Sequence, residues 1–192
     1  MMAKLRKYVG SRQKVRLTRP MPSEPILNGY LLAMSDALVL MHPFHDFEPD
    51  GYTIIRAADV AGVRRCPYEE WWDHMLQQEG LLGGLDSAPD VDLSDMRSAV
   101  KSVAALYDQM IVECEEEGNE DIEDFYLGRL ISVADDSVLF LDYDSLGFWA
   151  SEPKEIRLEE ITKVQFDTPY IRVFSKYTRE GTPPKFPEYN EG

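Results

Sequence analysis

Two stretches of this chain repeat one pattern at a nearly constant spacing. Gly29-Tyr30-Leu31-Leu32-Ala33-Met34, the pair Ser35-Asp36 and Ala37-Leu38-Val39-Leu40-Met41 form the first copy. Gly128-Arg129-Leu130-Ile131-Ser132-Val133, the triplet Ala134-Asp135-Asp136 and Ser137-Val138-Leu139-Phe140-Leu141 form the second. Each copy continues into an acidic, aromatic loop, Phe44 to Tyr52 and Tyr143 to Trp149, and then into a short apolar strand. The matching exits are Ile55-Arg56-Ala57-Ala58-Asp59-Val60 and Ile156-Arg157-Leu158-Glu159-Glu160-Ile161. The copies run from Gly29 to Val63 and from Gly128 to Val164, with an offset that drifts from 99 to 101 positions. A chain of 192 residues holding two such copies is expected to build one fold unit twice. A unit of about 60–80 residues has a marginal core, so the two should pack on each other or on the segment between them.

Alternation of apolar and polar residues defines the elements of each copy. Gln13 to Thr18 alternates outward Lys14 and Arg16 with inward Val15 and Leu17. Strands at about 28–34 and 37–42, joined at Ser35-Asp36, read as a hairpin, and Asp50-Gly51 is a turn signal. Tyr52 to Arg56 and Val60 to Arg64 add two short strands. Pro67 then opens a helix with Glu69 and Glu70 in its first turn. Trp71 and Trp72 are adjacent in it, so one is expected inside and one near the surface. The glycines between Glu79 and Pro89 break that helix, and a second begins near Ser94. In the second copy, strands are expected at Asp108 to Cys114, Phe125 to Val133, Ser137 to Tyr143, Lys154 to Leu158 and Ile161 to Phe166. A last strand is expected at Tyr170 to Tyr177. Residues 1–10 read as loosely ordered and the tail from Arg179 as frayed.

The expectation is a mainly β fold with an α linker (α+β): two tandem five-stranded small barrels. Residues 1–66 form the first with a basic N-terminal arm, 67–107 the helical linker, 108–178 the second barrel and 179–192 a flexible tail. The pattern resembles the Sm-like and SH3-like small barrels. It is also similar to a group of uncharacterised bacterial proteins built from two such units. The shared features are the Gly128-Arg129-Leu130-Ile131 hairpin opening, the acidic loop ending near Gly147 and the Asp167-Thr168-Pro169-Tyr170 exit. That resemblance implies fold and no activity. Sm proteins read single-stranded RNA through an asparagine after the hairpin turn and a late arginine–glycine pair. Asp135-Asp136-Ser137 and Thr168-Pro169-Tyr170 stand there instead, which argues against RNA binding.

Charge is the second constraint. The formal net charge is −15, and such a surface repels nucleic acid and anionic membranes. Residues 1–20 nevertheless carry seven basic groups and no acid, whereas Glu113 to Asp124 holds eight acids and no base. Equivalent places in the two copies thus have opposite charge. The basic strand is expected either to dock on the acidic one, within one chain or across a homodimer, or to contact an external ligand. The candidate contact residues are Lys14, Arg16 and Arg19, with Glu115, Glu116 and Glu117 opposite them, and the loop aromatics Tyr143, Phe148 and Trp149.

Catalytic signals are weak. His42, His45 and Asp46 cluster after a strand, but the second copy has Asp142 and Ser145 instead. Neither a metal site nor a cofactor is expected. Cys66 and Cys114 lie in different copies and read as reduced thiols. No apolar run approaches the roughly 18–20 residues of a membrane span, and no secretory signal is evident. The composite expectation is a non-enzymatic, cytoplasmic protein–protein interaction module with a basic partner. One form of it is an immunity or antitoxin-type protein masking a cationic nuclease. The alternative is a nucleic-acid binder using the basic arm and the barrel loops.

Overall fold

The computed structural model describes residues 1–21, 24–116 and 125–183. They form one open antiparallel sheet of 11 strands with a few short helices. The first half supplies β1 (Val15–Thr18), β2 (Ile26–Met34), β3 (Leu38–His45), the two-residue β4 (Glu48–Pro49), β5 (Tyr52–Arg56) and β6 (Gly62–Arg64). The second supplies β7 (Met110–Glu113), β8 (Phe125–Val133), β9 (Ser137–Asp142), β10 (Lys154–Arg157) and β11 (Lys163–Phe166). Helices are α1 (Met2–Arg6), α2 (Pro67–Gln78), α3 (Met96–Leu106) and α4 (Pro169–Phe174).

The repeat in the sequence is a repeat in topology. The sheet runs β6-β1-β2-β3-β5 and continues β11-β7-β8-β9-β10, with β4 beside β3. In each half the last strand lies beside the first, and the others follow in order. The hairpins match in detail. Gly29 faces Pro43 and Gly128 faces Asp142, and both hairpins shift register two to four residues later, between Leu31 and Ala33 and between Leu130 and Ser132. A Cβ at Gly29 would lie 2.3 Å from the His42 carbonyl oxygen, and one at Gly128 would lie 2.0 Å from that of Leu141. Both positions therefore require glycine, because the facing backbone occupies the space of a side chain.

The halves meet where β5 pairs with β11: Tyr52 opposite Phe166 and Ile54 opposite Val164. The Tyr52 and Phe166 rings stack at 5.4 Å. One core crosses this seam, taking Leu38, Leu40 and Ile54 from the first half and Val112, Phe140 and Phe166 from the second. Ala99, Val100 and Val103 of α3 are fully buried in it. The connecting helix is thus core material, with the Asp95 carboxylate capping it through the Ser98 amide at 2.7 Å.

Three local expectations are corrected. The N-terminus is ordered: α1 places Leu5, fully buried, against Val15, Leu17, Leu27 and Ile55. The last expected strand, Tyr170 to Tyr177, is α4 followed by a 3-10 turn over Ser175–Tyr177. Thr168 caps α4 by accepting from the Ile171 amide at 3.1 Å, and Pro169 sits at its first position. The alternating window was too short to separate the periods, and the cap decides for helix. Finally, the tail does not fray at Arg179. Its amide donates to the Gly147 carbonyl, and its carbonyl accepts from the Trp149 amide. Residues 184–192 lie outside the described residues.

Candidate interaction surfaces

Three of the seven basic groups of the N-terminal segment, Arg6, Arg12 and Arg19, are paired within the chain. Arg19 reaches Glu115 at 2.5 Å with both side chains out of water, at 0% and 5% exposure. The Thr162 hydroxyl donates to the same carboxylate at 2.8 Å. Beside them, the buried Lys163 ammonium lies 2.8 Å from Glu24 and 2.9 Å from Glu113. Burial pulls the Lys163 pKa down, but the two carboxylates override it and hold it above the ordinary lysine value. Arg6 pairs with Asp36 at 2.5 Å, and Arg12 pairs with Asp86. Opposite charges of the two halves therefore meet inside one molecule. A buried pair of this kind adds little net stability, but removing one partner strands the other and costs about 3–5 kcal/mol.

Glu116 lies elsewhere, on an exposed acidic hollow of about 420 Å³. Glu115, Glu116, Glu155, Glu159 and Glu160 line it, with Arg56 as the one cation among the described residues. Its position follows from the sheet. Glu155 and Ile156 belong to β10, the outermost strand at that end, whose far edge pairs with no described strand. Glu117 lies outside the described residues.

Lys14 and Arg16 do not join Arg19. Their side chains line a recess of about 400 Å³ between β1 and α2, together with Asn28, Phe44, Tyr68 and Trp72 and the charged Asp46, Arg64 and Glu69. The Lys14 amide donates to Asp73 at 3.0 Å, tying the strand to the helix. Asp73 also accepts from the Tyr30 hydroxyl at 2.7 Å and pairs with Arg65 at 2.6 Å. Glu69 is held by Arg64 at 2.5 Å and by the Cys66 amide at 2.8 Å. Burial pushes the Glu69 pKa up, yet these hydrogen bonds prevail and lower it to about 2.

The loop aromatics turn mostly inward. Tyr143 is buried, its hydroxyl donating to Gln109 at 2.9 Å, with its ring stacked on Phe174 and edge-on to Trp149. Arg129 lies over Trp149 and Arg179 over Phe148. They fill space beneath α4, with Phe148 and Trp149 at its margin. The tryptophan pair divides as expected: Trp72 packs with Tyr30, Phe44 and Leu76, while Trp71 is 61% exposed.

His42 is buried with its Nδ1 against the Gly51 carbonyl, and burial lowers its pKa. His45 points outward. Among the described residues no group of three or more His, Cys, Asp or Glu side chains is placed to hold a metal ion. No described helix is long and apolar enough to cross a membrane. Sequence reasoning did not single out Asn28, Tyr68, Glu155, Glu159 or Glu160. The signal for the recess was present, since Cys66-Pro67-Tyr68 and Thr168-Pro169-Tyr170 are one motif just beyond the recognised copies.

No family model, no curated protein and no solved structure matches this chain.

Proposed function

We propose that this chain is a non-catalytic protein–protein interaction module made of two Sm-like small β-barrel units, and that it docks a basic protein segment on its acidic hollow. The shared strand order, the paired glycine crossings and the paired register shifts support the two-unit reading. The observation that carries the partner reading is that Glu116, Glu155, Glu159 and Glu160 line one hollow with β10, whose far edge pairs with no described strand. An extended cationic segment can add to that edge through its backbone and place its cations over the carboxylates. Masking a cationic nuclease, as an immunity or antitoxin-type protein does, is one form of this activity.

Titration with an extended arginine- and lysine-rich peptide, against an acidic peptide of equal length, tests it. Saturable binding that weakens with salt, and weakens about tenfold or more in an E155Q/E159Q/E160Q variant, is the expected result. Equal affinity for both peptides, or none, would remove the proposal. The nucleic-acid alternative has less behind it, because Arg6, Arg12 and Arg19 of the basic arm are paired internally. Retardation of single-stranded RNA or DNA at micromolar protein and low salt would revive it.

A further inference from the structure

The recess under α2 has a counterpart under α4, and the two have been finished differently. Val15 faces Gly29 and Met110 faces Gly128, so Lys14 corresponds to Gln109 and Arg16 to Ile111. Asn28 and Leu127 each precede the crossing glycine. Pro43 faces Gly29 and Asp142 faces Gly128, so Phe44 corresponds to Tyr143. Counting from the helix-opening prolines, Trp72 corresponds to Phe174. In the second half Ile111, Leu127, Tyr143 and Ile171 pack into a closed apolar cluster, with Phe174 against it. In the first half the same positions surround open space of about 400 Å³.

Lys14 is the anomaly in that space. It is 5% exposed, yet among the described residues its ammonium has no hydrogen bond and no ion pair. It lies over the rings of Trp72 at 4.3 Å and Phe44 at 5.8 Å, which favours the charge, and its donors open onto the recess rather than onto a protein acceptor. Two of the neighbouring acids are held elsewhere, Glu69 by Arg64 and the Cys66 amide and Asp73 by Arg65 and Tyr30, while Asp46 lines the recess beside Lys14. Burial lowers the Lys14 pKa despite the fields of Asp73, Asp46 and Glu69. Arg16, on the same wall, has no carboxylate within ion-pair distance among the described residues. Three cations, Lys14, Arg16 and Arg64, two carboxylates, Asp46 and Glu69, an amide side chain and an aromatic rim converge on one cavity of ligand size, and Glu69 is taken up by Arg64.

We propose that this recess binds a small organic anion, a carboxylate or phosphate carried on a planar ring. The anionic group sits at the Lys14 ammonium within reach of Arg16 and Asn28, and the ring lies against Tyr68 at the rim. The anion supplies the acceptors that Lys14 lacks, and excluding water from the site strengthens the contact. The second half cannot do this, because Ile111 and Leu127 fill the corresponding place.

Calorimetric titration of the whole chain with phenyl phosphate, phenylacetate, inorganic phosphate and phenol tests the assignment. One-site binding of phenyl phosphate or phenylacetate is expected, tighter than inorganic phosphate, with phenol inert. The tighter of the two ring anions identifies the anionic group. K14M should weaken binding about tenfold or more while unfolding at about the same temperature, since no hydrogen bond or ion pair of the ammonium within the described residues is lost. K154M, outside the recess, should bind like the parent. The proposal fails if K14M binds as well as the parent or if phenol binds as well as the anions. It also fails if no ring anion binds at about 10 mM, including the case where only single-stranded RNA binds.

Discussion

The spaces beneath α2 and α4 share their strands, their crossing glycine and their helix-opening proline, but one is open and charged while the other is sealed. Under α4, Tyr143 stacks on Phe174 at 5.3 Å and bonds to Gln109, and Ile111 and Leu127 complete the packing. Under α2, Arg16 and Asn28 replace the two aliphatic residues, and Lys14 replaces the glutamine. Duplication preserves what the backbone needs, because glycine at a strand crossing and a cap before a helix have few substitutes. It leaves side chains free to diverge wherever the scaffold does not depend on them. Under α4 the helix is held by packing. Under α2 the packing of Trp72 and Leu76 on Tyr30 and Phe44 is joined by polar ties, from Asp73 to the Lys14 amide and from Glu69 to Arg64.

The largest expected effect comes from forcing the second niche to resemble the first. Ile111→Arg deletes a buried aliphatic side chain, 3% exposed, and leaves a cation among apolar residues. A loss of about 3–5 kcal/mol is expected, from the range for emptying a core site and for stranding a buried charge. Denaturant unfolding measures it. A loss below about 1 kcal/mol would mean that the second niche tolerates charge and that the contrast is superficial.

The shared scaffold should respond equally in both halves. Gly29→Ala and Gly128→Ala each drive a methyl group into a facing carbonyl, so each should cost about 1–3 kcal/mol through backbone displacement. Unequal losses in thermal unfolding would show that the crossings are not equivalent supports.

The smallest effect is a difference in acid response. The Glu69 pKa is lowered to about 2 in the folded chain, against about 4.3 for an unperturbed glutamate. A depressed carboxylate contributes stability above its unfolded value, and that contribution is lost as pH falls from about 4.3 towards 2. The α4 cap is the Thr168 hydroxyl, which does not titrate in this range. Hydrogen exchange of the first-turn amides of α2 should therefore accelerate through this window more than that of Ile171, and E69Q should flatten the response. Parallel acceleration at both caps would show that the polar tie is incidental.

Much of the fold was legible in the residue order. The strand alternation, the Ser35-Asp36 turn, the Asp50-Gly51 turn and the proline opening of α2 are local signals, each set by backbone sterics or a two-residue period. The second niche was half visible: Tyr143 and Trp149 stood out as a cluster, but their partner Phe174 was assigned to a strand. Extending the repeat five residues beyond Val164, with one more single-residue gap, would have aligned Thr168-Pro169 with Cys66-Pro67 and exposed the helix. The charge reading was legible only as a contrast. Screening by salt is the natural probe of an exposed ionic contact, but a pair as buried as Arg19 and Glu115 is largely shielded from it.

The chain by itself determined that one strand pattern occurs twice, where its turns fall and which segments carry which charge. These depend on neighbours within a few positions. Only the tertiary structure decided that β5 pairs with β11, that Arg19 meets a carboxylate 96 positions away, and that Lys14 does not meet one. Those outcomes depend on which surfaces are brought together out of water. Burial turns a weak ionic preference into a definite pairing, or into an ammonium left without an acceptor.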